Sequence, residues 1–477
     1  MDAIREGAAS VMCSYQRSNN SYGCQNSKLI NGVLKGELGF EGFLVSDWGA
    51  QHSGVASANA GLDLVMPSEG FWGASLVEAV NNGSVAHMAT RILAAWYYTG
   101  QDGADYPAVG VYSNLQKHAP VDVQNGHKAL IREIGAAGTV LVKNVNGTLP
   151  LKSPKFLSVY GYDAALPPSP WASTSYGPGF GTDEINTPFQ AIQDRVIADG
   201  GIVKWDFYSE NPSPAYVNTE ACFVFINAWA SEGYDRPSLK DDFSDNLVNN
   251  VAANCPNTIV VLHSAESSTP GIPQLYGDVN PSGRLPYTVA HAEEDFGVLL
   301  NSSAETGPFP QDDFTEGLFI DYRGFDKDDI SPRYEFGFGL SYTTFAYSAL
   351  ASSPVGSPVA GLPDADVAIV QGGHPQLWEE VYSVTAQVHN TGDVAGHEVA
   401  QLYVGIPVDG TPIRQLRGFE RVYLEAGASA TVEFKLVRRD LSFWDVVAQQ
   451  WRLPEGGFDV WVGASSRDLK LNGTFTI

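Results

Sequence analysis

The chain has 477 residues, enough for two to four domains of about 100–200 residues each. Its 54 acidic residues outnumber its 28 lysines and arginines, and the formal net charge of −26 argues against nucleic acid or an anionic membrane surface as a partner. No stretch approaches about 18 apolar residues, so no membrane-spanning helix is predicted. The first residues lack the basic start and apolar core of a signal peptide and are typical of the inside of a domain.

The first 100 residues alternate helix-like and strand-like segments. Each strand-like run is apolar and is flanked by glycine or a polar turn, as expected for parallel strands buried on both faces. Three such strands are too few to close a barrel, which takes about eight. Residues 1–100 are therefore predicted to form part of a (β/α) barrel. The strands are Val11–Tyr15, Phe43–Asp47 and Leu62–Met66, and the helices are Asp2–Ala9, Ser27–Leu38 and Val85–Tyr98.

A polar, glycine-containing stretch over residues 101–124 predicts a linker, and the alternation then resumes over residues 125–290. This rhythm predicts a three-layer α/β sandwich around an open parallel sheet. The predicted strands are Thr139–Lys143, Phe156–Tyr160, Cys222–Asn227 and Thr258–His263, and the helices are Ala129–Ala137, Pro188–Ala198 and Asp245–Ala253.

The last third of the chain has a different pattern. Residues 291–365 are rich in glycine, proline, aspartate and aromatic residues, which predicts a long structured connection. Beyond it, apolar residues recur at every second position in Val381–Asn390 and Thr431–Val437. This period of two predicts an antiparallel β-sandwich over residues 366–477, so the fold class is multidomain α/β plus all-β.

The four cysteines form two local pairs along the chain, Cys13 with Cys24 and Cys222 with Cys255. Two disulfides are the preferred interpretation, and four buried thiols are the alternative. Five asparagines lie in N-glycosylation sequons, which matter only in a protein that passes through a secretory route. They are Asn19, Asn82, Asn146, Asn301 and Asn472.

Four motifs in order give the sequence a resemblance to glycoside hydrolase family 3, in the group with a barrel, an α/β sandwich and a fibronectin III-like tail. The first is Val11-Met12-Cys13-Ser14-Tyr15 with the following Asn19-Asn20-Ser21-Tyr22-Gly23-Cys24. The resemblance covers essentially the whole chain. The other three motifs are Gly42-Phe43-Leu44-Val45-Ser46-Asp47-Trp48, Pro281-Ser282-Gly283-Arg284-Leu285-Pro286 and Tyr334-Glu335-Phe336-Gly337-Phe338-Gly339-Leu340-Ser341-Tyr342.

The resemblance implies a secreted retaining β-glucosidase of the fungal type, which hydrolyses terminal β-D-glucosyl residues of cellobiose and short β-glucosides during cellulose breakdown. Its substrates would be β-glucosides or cello-oligosaccharides, and it implies no cofactor and no metal. Secretion is expected from the family, the paired cysteines and the sequons. A β-xylosidase is a lesser alternative, because the residue after the expected nucleophile is Trp48.

The resemblance assigns Asp47 as the nucleophile of the reaction. Asp47 ends a predicted buried strand, the position from which a (β/α) barrel presents catalytic side chains. Retaining hydrolysis requires this carboxylate and a second carboxyl group about 5 Å away that protonates the leaving oxygen. Taken alone, the triplet Ser46-Asp47-Trp48 is also compatible with a helix cap.

The acid/base residue lies on the sandwich domain in this family, and Glu232 is the candidate. It follows the predicted strand Cys222–Asn227, at the edge where open α/β sheets bind ligands. The alternative role for Glu232 is an exposed carboxylate paired with Arg236. Glu220 and Asp235 are the next candidates for the acid/base.

Three further residues, Trp48, Tyr15 and Met12, match positions that line the sugar site in the family. An indole next to the nucleophile offers a flat face to the C–H side of a pyranose. On composition alone, each of the three would more often be a core residue than a sugar contact.

The resemblance also shows two gaps. The family's barrel begins upstream, and the residues that grip the glucose hydroxyls come from the part absent here. A second gap follows His263-Ser264, where Ala265–Gln274 replaces a strand and a helix. A rival hypothesis is therefore a non-catalytic remnant, in which the chain acts as a carbohydrate-binding or structural module.

Overall fold

The computed structural model describes residues 1–68, 70–104, 106, 122–165, 187–213, 218–228, 238–263, 272–299, 313–356 and 359–477. The chain divides into two compact units. Unit 1 comprises Met1–Val123, Val355–Val381 and Val437–Pro454, and unit 2 comprises Gln124–Pro354, Tyr382–Leu436 and Glu455–Ile477.

The strands of the described residues are β1 (Ser10–Cys13), β2 (Arg17–Ser18), β3 (Ser21–Tyr22), β4 (Phe43–Ser46), β5 (Phe156–Tyr160), β6 (Ile202–Asp206), β7 (Ala221–Asn227), β8 (Thr258–His263), β9 (Phe345–Pro354), β10 (Glu380–Asn390), β11 (Gly396–Gly405), β12 (Gln415–Leu424), β13 (Ser429–Val437), β14 (Phe443–Asp445), β15 (Gln450–Arg452), β16 (Gly457–Gly463) and β17 (Leu469–Thr476). The α-helices are Asp2–Arg5, Val55–Ala60, Ala74–Asn81, Met88–Tyr98, His127–Gly138, Pro188–Ala198, Asp242–Asn254, Ile272–Leu275 and Tyr322–Lys327, and Lys28–Glu37 is a π-helix. Short 3-10 turns are Gly23–Gln25, Tyr162–Ala164, Glu293–Leu299, Pro375–Trp378 and Arg438–Leu441.

Unit 1 contains the partial barrel. Strands β1 and β4 pair in parallel, and Val45 bridges to Leu64 as the start of a third strand. Because side chains alternate across a strand, one face of the pair packs into a core that contains Cys13, Leu44 and Leu62. The Cys13–Cys24 disulfide ties the end of β1 to this core.

Two distant segments of the chain complete unit 1. Two guanidinium groups contact the Trp378 ring, with the Cζ atoms of Arg5 and Arg439 at 4.4 Å and 4.6 Å from its centroid. Arg439 also pairs with Asp2 at 3.2 Å. These contacts attach the segments 355–381 and 437–454 to the start of the chain. The sequence pattern assigns these two segments to the structured connection and the β-sandwich, not to the partial barrel. The predicted domain boundaries remain predictions.

The first part of unit 2 is an α/β sandwich. Its sheet has the order β6-β5-β7-β8 with every pair parallel, as the β/α alternation predicts. One core cluster against the sheet includes Ile192 and Val196 of the first helix after β5, and another includes Leu247 and Val251 of the helix after β7. Helices thus cover the sheet from both faces, which gives three layers.

Each of these two helices begins at a side chain that caps it. The Thr187 hydroxyl accepts from the Gln190 N–H at 3.1 Å, and the Asp241 carboxylate accepts from the Ser244 N–H at 3.4 Å. Such caps satisfy amide groups that the first turn of a helix leaves without partners. The second disulfide, Cys222–Cys255, joins β7 to the end of the latter helix.

The second part of unit 2 is an antiparallel β-sandwich with sheets of order β13-β10-β9 and β12-β11-β16-β17. Burial alternates in the second half of β10, where Val384, Ala386 and Val388 are fully buried and the residues between them are not. The fold is therefore a partial (β/α) barrel, a three-layer α/β sandwich and a fibronectin III-like sandwich. No helix among the described residues is long and apolar enough to span a bilayer.

A buried ion pair connects the two parts of unit 2. The Arg284 Nη2 donates to the Glu398 Oε2 at 2.7 Å, and the Tyr347 hydroxyl donates to the other oxygen of Glu398 at 2.6 Å. Arg284 also donates to the Gly339 carbonyl at 2.7 Å. Burial raises the pKa of the Tyr347 hydroxyl, and the Glu398 carboxylate adds to the shift. The motif that contains Arg284 is thus fixed directly to a strand of the β-sandwich.

Candidate active site

Asp47 lies directly after β4, at the carboxyl end of the parallel pair. Its N–H donates to the Cys13 carbonyl at 3.2 Å, which continues the ladder between the two strands by one bond. One carboxylate oxygen accepts from the Trp48 N–H at 2.6 Å. The next helix begins only at Val55, with Gly54 as its N-cap, so Asp47 does not cap a helix. Asp47 therefore lies at the end of the strands at which (β/α) barrels carry their catalytic side chains.

The face on which Asp47 projects follows from the register of the strands. Met12 is paired with Val45, and residues in register on parallel strands point to the same side of a sheet. Asp47 follows Val45 by two residues and therefore lies on that same side. The opposite side carries Cys13 and Leu44 into the helix-covered core. Met12 and Asp47 thus share the face that does not pack against that core.

The other two predicted sugar contacts follow the ends of the same two strands. Trp48 comes directly after Asp47 and is 61% exposed, and Tyr15 follows β1 by two residues and is 48% exposed. Met12 is 57% exposed. Single exposed apolar residues are ordinary, but a group of them on and after two paired strands is a candidate surface for a ligand or a partner.

A stacked cluster that the sequence pattern did not single out lies in the loops at these strand ends. Asn19 and Asn20 both have positive φ, as a type I′ turn requires, and they connect β2 to β3 in a two-residue hairpin. Arg17 is consequently opposite Tyr22, with its Cζ atom 4.3 Å above the Tyr22 ring. His52 stacks on the same ring at 3.7 Å between centroids. The Asn-Asn pair was the available sequence signal for this hairpin.

The next acidic residue along the partial barrel, Asp63, has a structural role. Its carboxylate accepts from the Lys35 ammonium and from the Leu44 N–H, both at 2.8 Å, and it is buried. Burial lowers the pKa of Lys35 below its ordinary value, and the neighbouring Asp63 opposes that shift. A carboxylate held in this way on the core side of β4 is not positioned for proton transfer to a substrate.

Of the three acid/base candidates, only Glu220 lies among the described residues. Glu232 and Asp235 lie outside the described residues. Glu220 is at the amino-terminal edge of the sheet, where its carboxylate accepts from the N–H groups of Lys155 at 2.7 Å and Phe156 at 3.1 Å. Ligands of open α/β sheets bind at the opposite, carboxyl edge. The position of Glu220 therefore favours a structural role for that residue.

Comparison with known proteins gives three matches to family descriptions along the chain. Residues 1–95 match the N-terminal domain of glycosyl hydrolase family 3, residues 139–271 match its C-terminal domain, and residues 398–466 match a fibronectin type III-like domain. The chain is 48% identical to "Probable beta-glucosidase M" of Aspergillus oryzae, and this similarity covers all of the chain and 69% of that protein. The chain belongs to glycoside hydrolase family 3.

Solved structures of the family agree with this assignment. The beta-D-glucoside glucohydrolase of Trichoderma reesei superposes with a TM-score of 0.86 at 37% identity, over 100% of the present chain and 73% of that chain. The beta-glucosidase D2-BGL of Chaetomella raphigera gives a TM-score of 0.86 at 39% identity, over 100% and 74%. The whole of this family 3 chain therefore has a structural counterpart in those enzymes.

The alignment also bears on the gap expected after His263-Ser264. It is 531 residues long against the 477 residues of the chain, so at least 54 positions inside the aligned part of the relative have no counterpart here. The match to the C-terminal domain of the family ends at residue 271. In the sheet formed by the described residues, β8, which ends at His263, is an edge strand, with Val260 44% and Leu262 57% exposed.

Proposed function

We propose that the protein is a retaining β-glucosidase that removes terminal β-D-glucosyl residues from cellobiose and short β-glucosides. The observation that carries the proposal is the position of Asp47 at the carboxyl end of β4, with Met12 on its face and Trp48 beside it. Family membership supports it, because the relatives at 48% identity and the superposed structures bear the names of β-glucosidases.

In the proposed mechanism, Asp47 is the nucleophile and Glu232 is the acid/base. The Asp47 carboxylate attacks the anomeric carbon, the bond from that carbon to the leaving oxygen breaks, and Glu232 gives its proton to that oxygen. Glu232 then takes a proton from water, whose oxygen attacks the anomeric carbon and releases Asp47. Two inversions leave glucose with its original β configuration.

The three exposed apolar side chains have a binding role in this proposal. Trp48 offers the face of its indole to the C–H side of the glucose ring, and Tyr15 and Met12 line the same strand edge. Such contacts orient the sugar over the nucleophile, and orientation of reacting groups contributes up to about 7–11 kcal/mol of barrier reduction.

The second candidate is a carbohydrate-binding or structural module without catalysis. The observation that favours it is the exposure of Met12, Tyr15 and Trp48, since side chains that grip a transition state are normally held by packed neighbours. Under this hypothesis the chain would bind a glucoside through these side chains but would not form a bond from Asp47 to the sugar.

One experiment separates the two candidates. The folded chain is incubated with a 2-deoxy-2-fluoro β-glucoside, and its intact mass is measured. The enzyme proposal predicts one added fluoroglucosyl group on Asp47, none in Asp47→Ala and normal labelling of Asp366→Ala, which changes an exposed aspartate of the same unit. A folded chain that binds glucosides but takes up no label would support the binding module and reject the enzyme.

We also propose that the protein passes through a secretory route. Both cysteine pairs form disulfides, which persist in oxidising compartments. The four sequon asparagines among the described residues, Asn19, Asn82, Asn146 and Asn472, are all exposed. Expression in a fungal host, with a secretion signal placed before the chain, should therefore give a mass that decreases on treatment with an N-glycan-cleaving enzyme. A mass equal to that of the bare polypeptide would contradict the proposal.

A further inference from the structure

A buried polar cluster lies at the carboxyl edge of the parallel sheet in unit 2, where β5, β7 and β8 end. It consists of Asp163, Asn227 and His263, with Tyr162 beside it. The Asn227 amide donates to the Asp163 Oδ1 at 2.8 Å, and His263 Nδ1 pairs with the other oxygen of Asp163. The Tyr162 hydroxyl donates to the Asn227 carbonyl and side-chain oxygens at 3.3 Å and 3.2 Å. One hydrogen-bonded chain therefore spans the three strand ends.

The backbone of Gly161 makes this arrangement possible. Gly161 has φ of 95°, and a Cβ atom at that position would lie 2.0 Å from the Phe225 carbonyl oxygen of β7. Only glycine tolerates both that conformation and that approach. The chain leaving β5 can thus pass close over β7 and place Asp163 against Asn227, which is the last residue of that strand.

Burial of the Asp163 carboxyl group is expected to bring little or no gain in stability. Asp163 is fully buried, and its two partners are an amide and an imidazole, with no lysine or arginine bonded to it among the described residues. Burial of a carboxyl group is compensated only by good hydrogen bonds, and apolar residues of similar volume often give equal stability. Polar groups kept at such a place are best explained by the geometry that they impose.

That geometry concerns the point at which the chain leaves β7. Asn227 is held through its side chain and its carbonyl, and the next residue, Ala228, donates its N–H to the His263 carbonyl at 2.9 Å. His263 is thereby bonded to Asp163 through its ring and to Ala228 through its backbone. Glu232 follows Ala228 by four residues. The cluster therefore fixes the carboxyl end of β7, which precedes Glu232 in the sequence.

We propose that Asp163 and His263 are positioning residues, which anchor the exit from β7 and through it the segment that carries Glu232. This inference rests on the proposed function for the role of Glu232 as the acid/base. The anchoring itself depends only on the contacts of the cluster. Loss of the Asp163 side chain would leave the Asn227 amide without its acceptor, and loss of the His263 ring would leave Asp163 without its second partner. Either change would hold less firmly the strand ends that the Ala228 N–H and the His263 carbonyl join, so that proton donation to the leaving oxygen becomes less efficient.

Hydrogen–deuterium exchange tests the anchoring without requiring activity. His263→Ala should accelerate exchange in peptides that contain Asn227 and Ala228 by on the order of tenfold, because their hydrogen bonds open more readily. His263→Asn, whose amide can still donate to Asp163, should restore most of the protection. Ser158→Ala is the matched control, since it removes a buried polar group from β5 away from this edge. Equal exchange in His263→Ala and the control would overturn the proposal.

Kinetics with two leaving groups tests the consequence for the reaction. The dinitrophenolate of a dinitrophenyl β-glucoside leaves without being protonated, whereas the glucose that leaves cellobiose must receive a proton from the general acid. General acid catalysis contributes about 10²–10⁴-fold to the rate. Asp163→Asn should lower kcat/KM, which reports formation of the glycosyl-enzyme, at least about tenfold more on cellobiose than on the dinitrophenyl glucoside. Equal losses on both substrates would show a merely structural role and reject positioning. A wild-type chain without an Asp47 label would reject the proposed function, and the exchange result would still decide whether the anchor exists.

Discussion

The two units differ in how completely their strands bury their side chains. In unit 2, β13 buries Val432, Phe434 and Leu436 and exposes the residues between them, as a half-buried strand should. In unit 1, β1 and β4 bury one face in a helix-covered core, while Met12 on the other face is 57% exposed. The apolar face of β13 is therefore buried within unit 2, whereas one face of the parallel strands in unit 1 still carries an exposed apolar side chain.

The difference follows from the kinds of sheet. An antiparallel sandwich satisfies each apolar face with the facing sheet of the same segment, so its core is complete within about 100 residues. A parallel barrel needs about eight strands before its inner face is filled. The chain spans 69% of the A. oryzae relative, and the described residues of its family 3 N-terminal domain contain one parallel pair of strands with one further parallel bridge. The proposed site in unit 1 lies on the face of the sheet that would be filled only in a closed barrel.

The largest expected effect comes from the ion pair that connects the two parts of unit 2. Arg284→Ala should lower the free energy of unfolding of unit 2 by about 3–5 kcal/mol, because it leaves the buried Glu398 carboxylate without its cation. Differential scanning calorimetry should show a lower transition temperature for unit 2 and an unchanged transition for unit 1.

The control for this prediction is an exposed ion pair in the same unit. Arg195 pairs with Asp278 at 2.8 Å, but both side chains are more than one-third exposed. Arg195→Ala should therefore cost below about 1 kcal/mol. Equal losses for the two variants would mean that the Arg284 pair does not hold unit 2 together, and a shift of both transitions would mean that the units are not energetically separate.

The disulfides give the next largest effects, with one in each unit. Cys222–Cys255 in unit 2 closes a separation of 33 residues, and Cys13–Cys24 in unit 1 closes one of 11. On the chain-entropy account, their loss should cost about 4 and about 3 kcal/mol respectively, since a longer loop gains more freedom in the unfolded chain. Paired cysteine-to-alanine variants, compared by urea denaturation, check the order. A larger loss for the shorter loop would show that contacts in the folded state dominate.

The sequence predicted the buried and alternating strands well because their signals are local. The bounds of β5 and β8 agree with the predicted Phe156–Tyr160 and Thr258–His263, and β10 begins one residue before the predicted Val381. Strand β6 was missed because it is an edge strand with Ile202 and Trp205 more than half exposed, so its apolar pattern is weak. Within the part of the chain that the structure describes, the predicted strand Thr139–Lys143 forms a single bridge, from Leu141 to Leu340, and that partner is remote in sequence.

In the candidate site, too, features set by neighbouring residues were predicted, and contacts between residues far apart in the sequence were not. The strand-end position of Asp47 was predicted, because a short apolar run followed by a polar residue is a local pattern. The stack of His52 on Tyr22 was not predicted, since it depends on a hairpin meeting a loop about 30 residues further along. The pairing of Asp163 with His263, 100 residues apart, likewise required the sheet order.

The smallest effect is a pH dependence that belongs to unit 2 alone. Burial lowers the pKa of His397 below its ordinary value of 6.5, the neighbouring Arg421 lowers it further, and Glu133 opposes the shift. The unfolded chain therefore binds more protons than the folded chain just below pH 6.5, and the stability present above that pH is lost as the pH falls. Because solvent screens this partly exposed ring, the loss should be below about 0.5 kcal/mol.

Urea denaturation of the wild type and of His397→Gln at pH 7.5 and pH 5.5 measures this loss. Many groups titrate over that range, so the informative quantity is the difference between the two proteins in the change of unfolding free energy. The wild type should lose more stability than the variant, and only in the transition of unit 2. An equal change in both proteins would place His397 in an environment open to solvent, and the β11–β12 face would then be less closely packed than its edge-to-face contact with Tyr423 indicates.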